Sequence, residues 1–208
     1  MIDGVIKYGV THISDKAPEC KRYAELEALR LRLFRLGLIG VQDGIGYGNI
    51  SLRENANSFF ITATQTGELE HLDQEFYTFI YSYDFKNFSV TSMGKHKPSS
   101  EALSHAMIYE ISSEINAVIH IHSKALWEFM KEQNSLFTEA EYGTIAMVEE
   151  IASLYEGKNP FKESAFVMRG HEDGVMVFGK SLEETELILF DIMRGYFANS
   201  ANYDKISI

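Results

Sequence analysis

The run Asn116–Ser123 (NAVIHIHS) restricts the fold more than any other segment, because β-branched residues alternate along it and two histidines lie two positions apart. Alternation of this kind predicts a strand. Residues two apart on a strand face the same side and lie roughly 6.6 Å apart along the chain. We therefore expect His120 and His122 to point in one direction, where their imidazoles can converge on one metal ion. The alternative is that the two histidines line a hydrated groove and bind no metal ion.

A metal ion needs more donors than one such pair supplies, and the best third ligand on sequence grounds is His171. It follows a strand-like run, Ala165–Met168, and precedes Glu172-Asp173-Gly174, which predicts a turn into another strand. Histidines at strand ends are well placed to face a shared pocket. Two histidines in this spacing also begin the cupin metal motif, which continues into a glutamate four or five residues later. Glu128 comes six residues after His122, within a helical pattern, so the cupin alternative is disfavoured.

The patterns on either side of this strand alternate between helix and strand. Helical spacing and capping signals predict helices over 18–38, 98–112, 124–133, 144–155 and 181–198. Strand patterns occur at 49–53, 58–62, 78–83, 89–92, 116–123, 165–168 and 175–178, and a glycine-rich turn at 44–48. Strands in small groups with helices between them predict α/β layers with a mixed or antiparallel sheet, in a single domain over residues 1–208.

Composition excludes several classes of function. With 30 acidic and 19 basic residues the net charge is −11, which disfavours a nucleic-acid partner because such a surface repels phosphate backbones. Cys20 is the single cysteine, which excludes an intrachain disulfide and fits a reducing compartment. No stretch approaches the roughly 18 apolar residues of a membrane span, and the first residues lack the apolar stretch of a signal peptide. We expect a soluble, cytoplasmic protein without a membrane partner.

Two further segments are suited to an anion. Lys97-Pro98-Ser99-Ser100-Glu101 comes at the predicted start of a helix, where free N–H groups and the hydroxyls of Ser99 and Ser100 suit phosphate. Glu101 could instead only complement the helix dipole, and Lys97 could be a solvated surface lysine. The glycine-rich turn before Asn49 has two interpretations as well, because it can expose N–H groups to an anion or merely turn the chain.

Together these segments resemble the class II aldolase/adducin family. The matching segments, in chain order, are GNIS (48–51), ITATQTG (61–67), KPSSE (97–101), HIHS (120–123), YGT (142–144), His171 and VFGKSLEE (177–184). The resemblance covers about residues 22–196, and the KPSSE segment paired with HIHS is its specific part. It implies a three-layer α/β/α sandwich around a mainly antiparallel central sheet. It also implies a homotetramer with active sites between neighbouring subunits.

The resemblance assigns roles to eight residues. It implies a zinc ion, or another divalent metal, held by three histidines: His120, His122 and His171. Glu101 would touch the metal in the empty site and serve as acid/base once substrate is bound. The phosphate of the substrate would be held by Asn49, Gly67, Ser99 and Ser100.

The activity implied is that of a metal-dependent lyase, which cleaves a small, phosphorylated sugar or hydroxy-carbonyl compound by stabilising an enediolate. The alternatives are a sugar-phosphate epimerase or dehydratase on the same metal site, or a non-catalytic adducin-like assembly domain. The sequence departs from the family between His122 and Tyr142, where it has neither the catalytic tyrosine of the aldolases nor the aspartate expected of the epimerases. Tyr196 and Tyr203 could supply the second acid/base, although ordinary surface or core roles suit both. The loop before Gly67 is longer than the usual form.

Overall fold

The computed structural model describes residues 5–199. The strands of this part are β1 Gly9–Ser14, β2 Gly40–Gln42, β3 Ile45–Tyr47, β4 Asn49–Asn55, β5 Ser58–Thr62, β6 Tyr77–Asp84, β7 Ser89–Gly94, β8 Ala117–His122, β9 Phe137–Thr138, β10 Ala165–Met168 and β11 Gly174–Gly179. The α-helices are α1 Tyr23–Arg35, α2 Ala102–Ile111, α3 Lys124–Glu132, α4 Ile145–Tyr155 and α5 Leu182–Ala198. Short 3₁₀ turns lie at Gln74–Phe76 and Pro160–Lys162.

One large sheet organises the molecule, with strands in the order β1-β7-β6-β5-β4-β8-β11-β10-β9. Neighbouring strands run antiparallel except at the two edges, where β1 pairs parallel with β7 and β9 parallel with β10. The strands β2 and β3 form a separate hairpin. The sheet is therefore mainly antiparallel, which confirms the predicted α/β class.

Helices cover both faces of this sheet. Apolar side chains of α1, α3 and α5 pack with one face, and those of α2 and α4 pack with the other. The alternation in β8 divides its residues between the two cores: Ile119 and Ile121 belong to the first and Val118 to the second. The result is the three-layer α/β/α arrangement, and strand β8 is buried at its centre. No helix between residues 5 and 199 is both long and apolar enough to span a bilayer.

Two helices begin later than their sequence patterns predict. The first starts at Tyr23 instead of Pro18. The second starts at Ala102 instead of Pro98, because Pro98 forms a bridge with Ala63 and the backbone of Lys97 accepts a hydrogen bond from Thr64. Pairing with a segment more than 30 residues earlier thus holds 97–98 extended.

The glycine-rich turn predicted at 44–48 is in fact part of the β2–β3 hairpin. Its two connecting residues, Asp43 and Gly44, both have positive φ, 53° and 80°. This is the backbone of a two-residue hairpin turn, for which Asp-Gly is a favoured pair. The hairpin projects beside the start of β4 and so brings Gly46 and Tyr47 to the site described below.

Candidate metal centre

Strand β8 and the turn between β10 and β11 position the three candidate metal-binding histidines. His120 and His122 lie on β8, opposite Asn49 of β4 and Gly174 of β11 respectively. His171 lies in the turn from β10 to β11, where its carbonyl accepts a 2.9 Å hydrogen bond from the Gly174 N–H. Because β8 and β11 are adjacent strands, this turn reaches the end of β8 and brings the third histidine to the first two.

The three imidazoles converge at one point. One ring nitrogen from each of His120, His122 and His171 lies within 4.8 Å of the other two. The Nε2 atoms of His120 and His122 are 3.0 Å apart. His120 is fully buried and His171 is 8% exposed. All three histidines predicted as ligands are therefore adjacent in space.

The carboxylate of Glu101 completes this cluster. The residue immediately precedes α2, yet its side chain makes no capping hydrogen bond to the helix. Instead Oε2 lies 3.1 Å from His120 Nε2 and accepts a 2.8 Å hydrogen bond from Asn49 Nδ2. Its Oε1 lies 3.6 Å from His171 Nδ1. The structure thus turns Glu101 toward the histidines and away from the helix end.

Burial and neighbouring charges shift the pKa values of Glu101 and His120. Burial opposes ionisation of Glu101, but the neighbouring His120, then His171 and the Asn49 hydrogen bond, hold its pKa below the usual value. Burial lowers the pKa of His120 to about 3, against the opposing attraction of Glu101. A neutral imidazole beside an ionised carboxylate is the state in which both can donate lone pairs to a cation.

The residues present fit a divalent metal ion. Three imidazole nitrogens are the ligand set of catalytic zinc sites that keep one position open. The Oε1 atom of Glu101 is buried and accepts no hydrogen bond from the described residues, so it lacks the compensation that a buried carboxylate oxygen needs. A cation bound by the histidines would supply that missing charge.

A polar pocket opens from the histidines toward two loops. The loop 63–67 and the segment 97–101 lie side by side, joined by a 3.0 Å hydrogen bond from Thr64 N to Lys97 O. Residues of both segments line the pocket: Ala63, Thr64, Gln65, Thr66, Gly67, Ser99, Ser100 and Glu101. The four residues predicted to hold phosphate all line this pocket, together with the histidines. The side chain of Lys97 is exposed and does not.

Gly67 has a close-packing role. A Cβ at this position would lie 1.9 Å from the carbonyl oxygen of Gly40, so only glycine lets the loop approach the β2–β3 hairpin. The loop is also held in place by Arg30 of helix α1, whose side chain is fully buried. Its guanidinium donates to the carbonyls of Thr66 at 3.2 Å and Glu70 at 2.7 Å.

Residues 25–191 match the family model of the Class II Aldolase and Adducin N-terminal domain. The chain belongs to the class II aldolase/adducin family. Known structures share its fold. YgbL from Klebsiella pneumoniae superposes with a TM-score of 0.65 at 19% identity, over 86% of this chain and 88% of that one. An L-fuculose 1-phosphate aldolase superposes with a TM-score of 0.63 at 18% sequence identity, over 87% of each chain. A sugar-phosphate aldolase from Thermotoga maritima superposes with a TM-score of 0.56 at 20% sequence identity, over 82% of this chain and 92% of that one.

In this class II aldolase/adducin domain, two tyrosines flank the candidate metal-binding histidines. The Tyr47 ring lies 5.2 Å from that of His122 and the Tyr142 ring 4.6 Å from that of His171, both tilted by 30°. Both tyrosines line the pocket. Neither was assigned a role from sequence, although Tyr142 lies in the YGT segment that contributes to the family resemblance.

The other tyrosines and the cupin glutamate lie elsewhere. Tyr196 packs against Phe129 between α5 and α3 and does not line the pocket. Tyr203 lies outside the described residues. Glu128 is part of α3, so its position gives no support to the cupin alternative.

Proposed function

We propose that this domain is a zinc-dependent lyase that cleaves a small, phosphorylated sugar or hydroxy-carbonyl compound in an aldol cleavage. The observation that carries the proposal is the convergence of His120, His122 and His171 on one point beside the buried carboxylate of Glu101. An assembly domain needs neither this cluster nor a pocket in front of it. Family membership and the aldolases among the structural neighbours support the same conclusion.

The three histidines would hold the ion, and the bound cation would act as a Lewis acid toward the oxygens of the substrate. Glu101 is the group that can take or return the substrate proton, because it lies against the cluster and is ionised. Asn49 holds that carboxylate in place through its hydrogen bond to Oε2. The near-complete burial of Glu101 and His120 would limit the access of bulk water to the proton-transfer step.

The anionic end of the substrate would lie between the loop 63–67 and the segment 97–101. The hydroxyls of Ser99 and Ser100 and the backbone N–H groups of these segments offer neutral donors. The metal ligands and these donors line one pocket, so a short substrate could reach both. We propose further that the protein is cytoplasmic and a homotetramer.

Metal content and turnover test this proposal together. Purified protein should retain about one zinc per chain, and zinc-loaded protein should release dihydroxyacetone phosphate or an aldehyde from at least one member of a panel of ketose and aldose phosphates. The variant His122→Ala should lose both properties and keep its fold, whereas the exposed control His71→Ala should keep both. Conversion of a sugar phosphate to an epimer or a dehydrated product would assign one of the other reactions to the site. Absence of stoichiometric metal would favour an assembly domain.

A further inference from the structure

One residue of the pocket keeps a backbone conformation that a side chain disfavours. Gln65 has a φ of 58°, the left-handed region in which glycine is preferred. It lies on the loop 63–67 and lines the pocket next to Thr64 and Thr66. A residue with a side chain costs stability at such a position, so its side chain is expected to supply something that glycine cannot.

The side chain of Gln65 is exposed and hydrogen-bonds to the β2–β3 hairpin. Its Oε1 accepts a 3.3 Å hydrogen bond from the backbone N–H of Gly46, in the middle of strand β3. This bond fixes which end of the amide is which, because only the oxygen can accept. Nε2 therefore keeps two N–H donors, and within residues 5–199 it makes no hydrogen bond.

Binding of an anionic group in this pocket requires hydrogen-bond donors. Among its lining residues in the described chain there is no lysine and no arginine. The protein as a whole carries a net charge of −11. Apart from a cation held by the three histidines, an anion there is held by neutral N–H and O–H groups, so each additional donor contributes to affinity.

We propose that Gln65 is a specificity-determining residue whose side-chain amide donates to the anionic group of the substrate. This inference rests on the proposed function, because it assigns a further contact to the same substrate. The β2–β3 hairpin supports this contact, because the Gly46 N–H binds Oε1 of the amide and leaves Nε2 to donate.

The variant Gln65→Gly separates this role from a structural one. It removes the amide and at the same time relieves the positive φ, so thermal stability should stay equal or rise. Affinity for inorganic phosphate, measured by titration calorimetry on zinc-loaded and zinc-free protein, should fall about ten-fold, as for loss of one hydrogen bond to a charged group. Gln65→Glu places a negative charge there and should weaken phosphate binding further. Asn134→Gly is the matched control, since Asn134 also has a positive φ, 55°, but lies outside the pocket.

Unchanged phosphate affinity in Gln65→Gly, or a wild-type protein that binds no phosphate in either metal state, would overturn the assignment of Gln65. Either result leaves the proposed reaction intact if the wild-type enzyme still turns over a sugar phosphate. A wild-type protein without bound zinc and without turnover would overturn the proposed function instead, whatever its phosphate affinity.

Discussion

The side-chain amide of Asn49 donates a 2.8 Å hydrogen bond to the carboxylate of Glu101. Asn49 lies directly opposite His120 on the neighbouring strand, so the amide and the imidazole reach the same carboxylate oxygen from adjacent strands. The family resemblance places Asn49 in the phosphate cradle. The hydrogen bond places its Nδ2 on Glu101, the proposed proton-transferring group, which would give the residue a second, positioning role.

Replacement of Asn49 should therefore reduce kcat more than it raises KM. Asn49→Ala removes the hydrogen bond that favours the ionised carboxylate, and Asn49→Asp places a second negative charge beside it, which raises the pKa of Glu101. We expect losses of about 10–100-fold in kcat, larger for the aspartate variant. Ser99→Ala should instead act mainly on KM. Steady-state kinetics compare the variants, and an Asn49→Ala enzyme altered only in KM would return the residue to phosphate binding alone.

Glu101→Gln should abolish turnover while the protein keeps its fold and its metal. The amide is nearly isosteric with the carboxylate but cannot carry a proton, and loss of a positioned acid/base group typically costs about 10²–10⁴-fold in rate. Zinc content, thermal unfolding and kcat are to be measured on the same preparation. Glu110→Gln, in the exposed part of the same helix, should leave all three unchanged. An active Glu101→Gln enzyme would contradict the mechanism even with zinc in place.

Zinc should stabilise the folded protein, and chelation should remove that stabilisation without unfolding the domain. A ligand that binds only the folded state at 100 times its Kd contributes about 2.7 kcal/mol. The melting temperature should rise on addition of zinc to EDTA-treated wild type and remain unchanged for His122→Ala. Far-UV circular dichroism of the zinc-free protein should match that of the loaded form, because both cores form without the ion. Loss of the spectrum on chelation would show that the metal is needed for folding.

Stability should fall in mild acid, partly through His105. Burial lowers the pKa of this histidine to about 4, with Glu101 opposing, whereas in the unfolded chain its pKa is near the ordinary value of 6.5. Between these values the unfolded state binds more protons, so the free energy of unfolding decreases as pH drops from 6.5 to 4. The contribution is on the order of 3 kcal/mol. His105→Asn keeps a polar group beside Ser51 and should flatten the pH dependence measured by denaturant titration, whereas His71→Asn should not.

Arg30→Met should destabilise the domain and disturb the loop that lines the pocket. The substitution leaves the carbonyls of Thr66 and Glu70 without their donor, and we expect a loss of about 2–4 kcal/mol in the free energy of unfolding. Arg35→Met is the control, because Arg35 lies on the same helix and pairs with Glu70 through an exposed ion pair worth under about 1 kcal/mol. Urea unfolding gives both values, and equal losses would show that the buried guanidinium has no special role.

The central strand and its histidines were predictable because their signal is local. Two-residue spacing in Asn116–Ser123 places His120 and His122 on one face of β8 whatever the rest of the chain does. His171 followed from its place at a strand end. The β2–β3 hairpin also carries a local signal, the Asp43-Gly44 pair, which the more conspicuous glycines after it obscured.

The rest depends on contacts between distant segments. The start of α2 moves to Ala102 because Ala63 pairs with Pro98, and no propensity within 97–101 encodes that pairing. The edge strands β1 and β9 exist through parallel pairing with β7 and β10, which no short-range pattern indicates. Tyr142 and Gln65 reach the pocket through loops, and their placement becomes evident only when the sheet is assembled.

Strand β8 fixes the positions of His120 and His122 within the central sheet, whereas two other segments that line the pocket lie outside that sheet. The imidazoles of His120 and His122 belong to a strand hydrogen-bonded on both sides, so a register slip of one residue would bury them among the apolar residues of the opposite face. The loop 63–67 and the β2–β3 hairpin carry no ladder of the central sheet. Exchange of these two segments could therefore redirect the domain to a different substrate while its reaction chemistry is inherited unchanged, which makes them the natural grafting points for redesign.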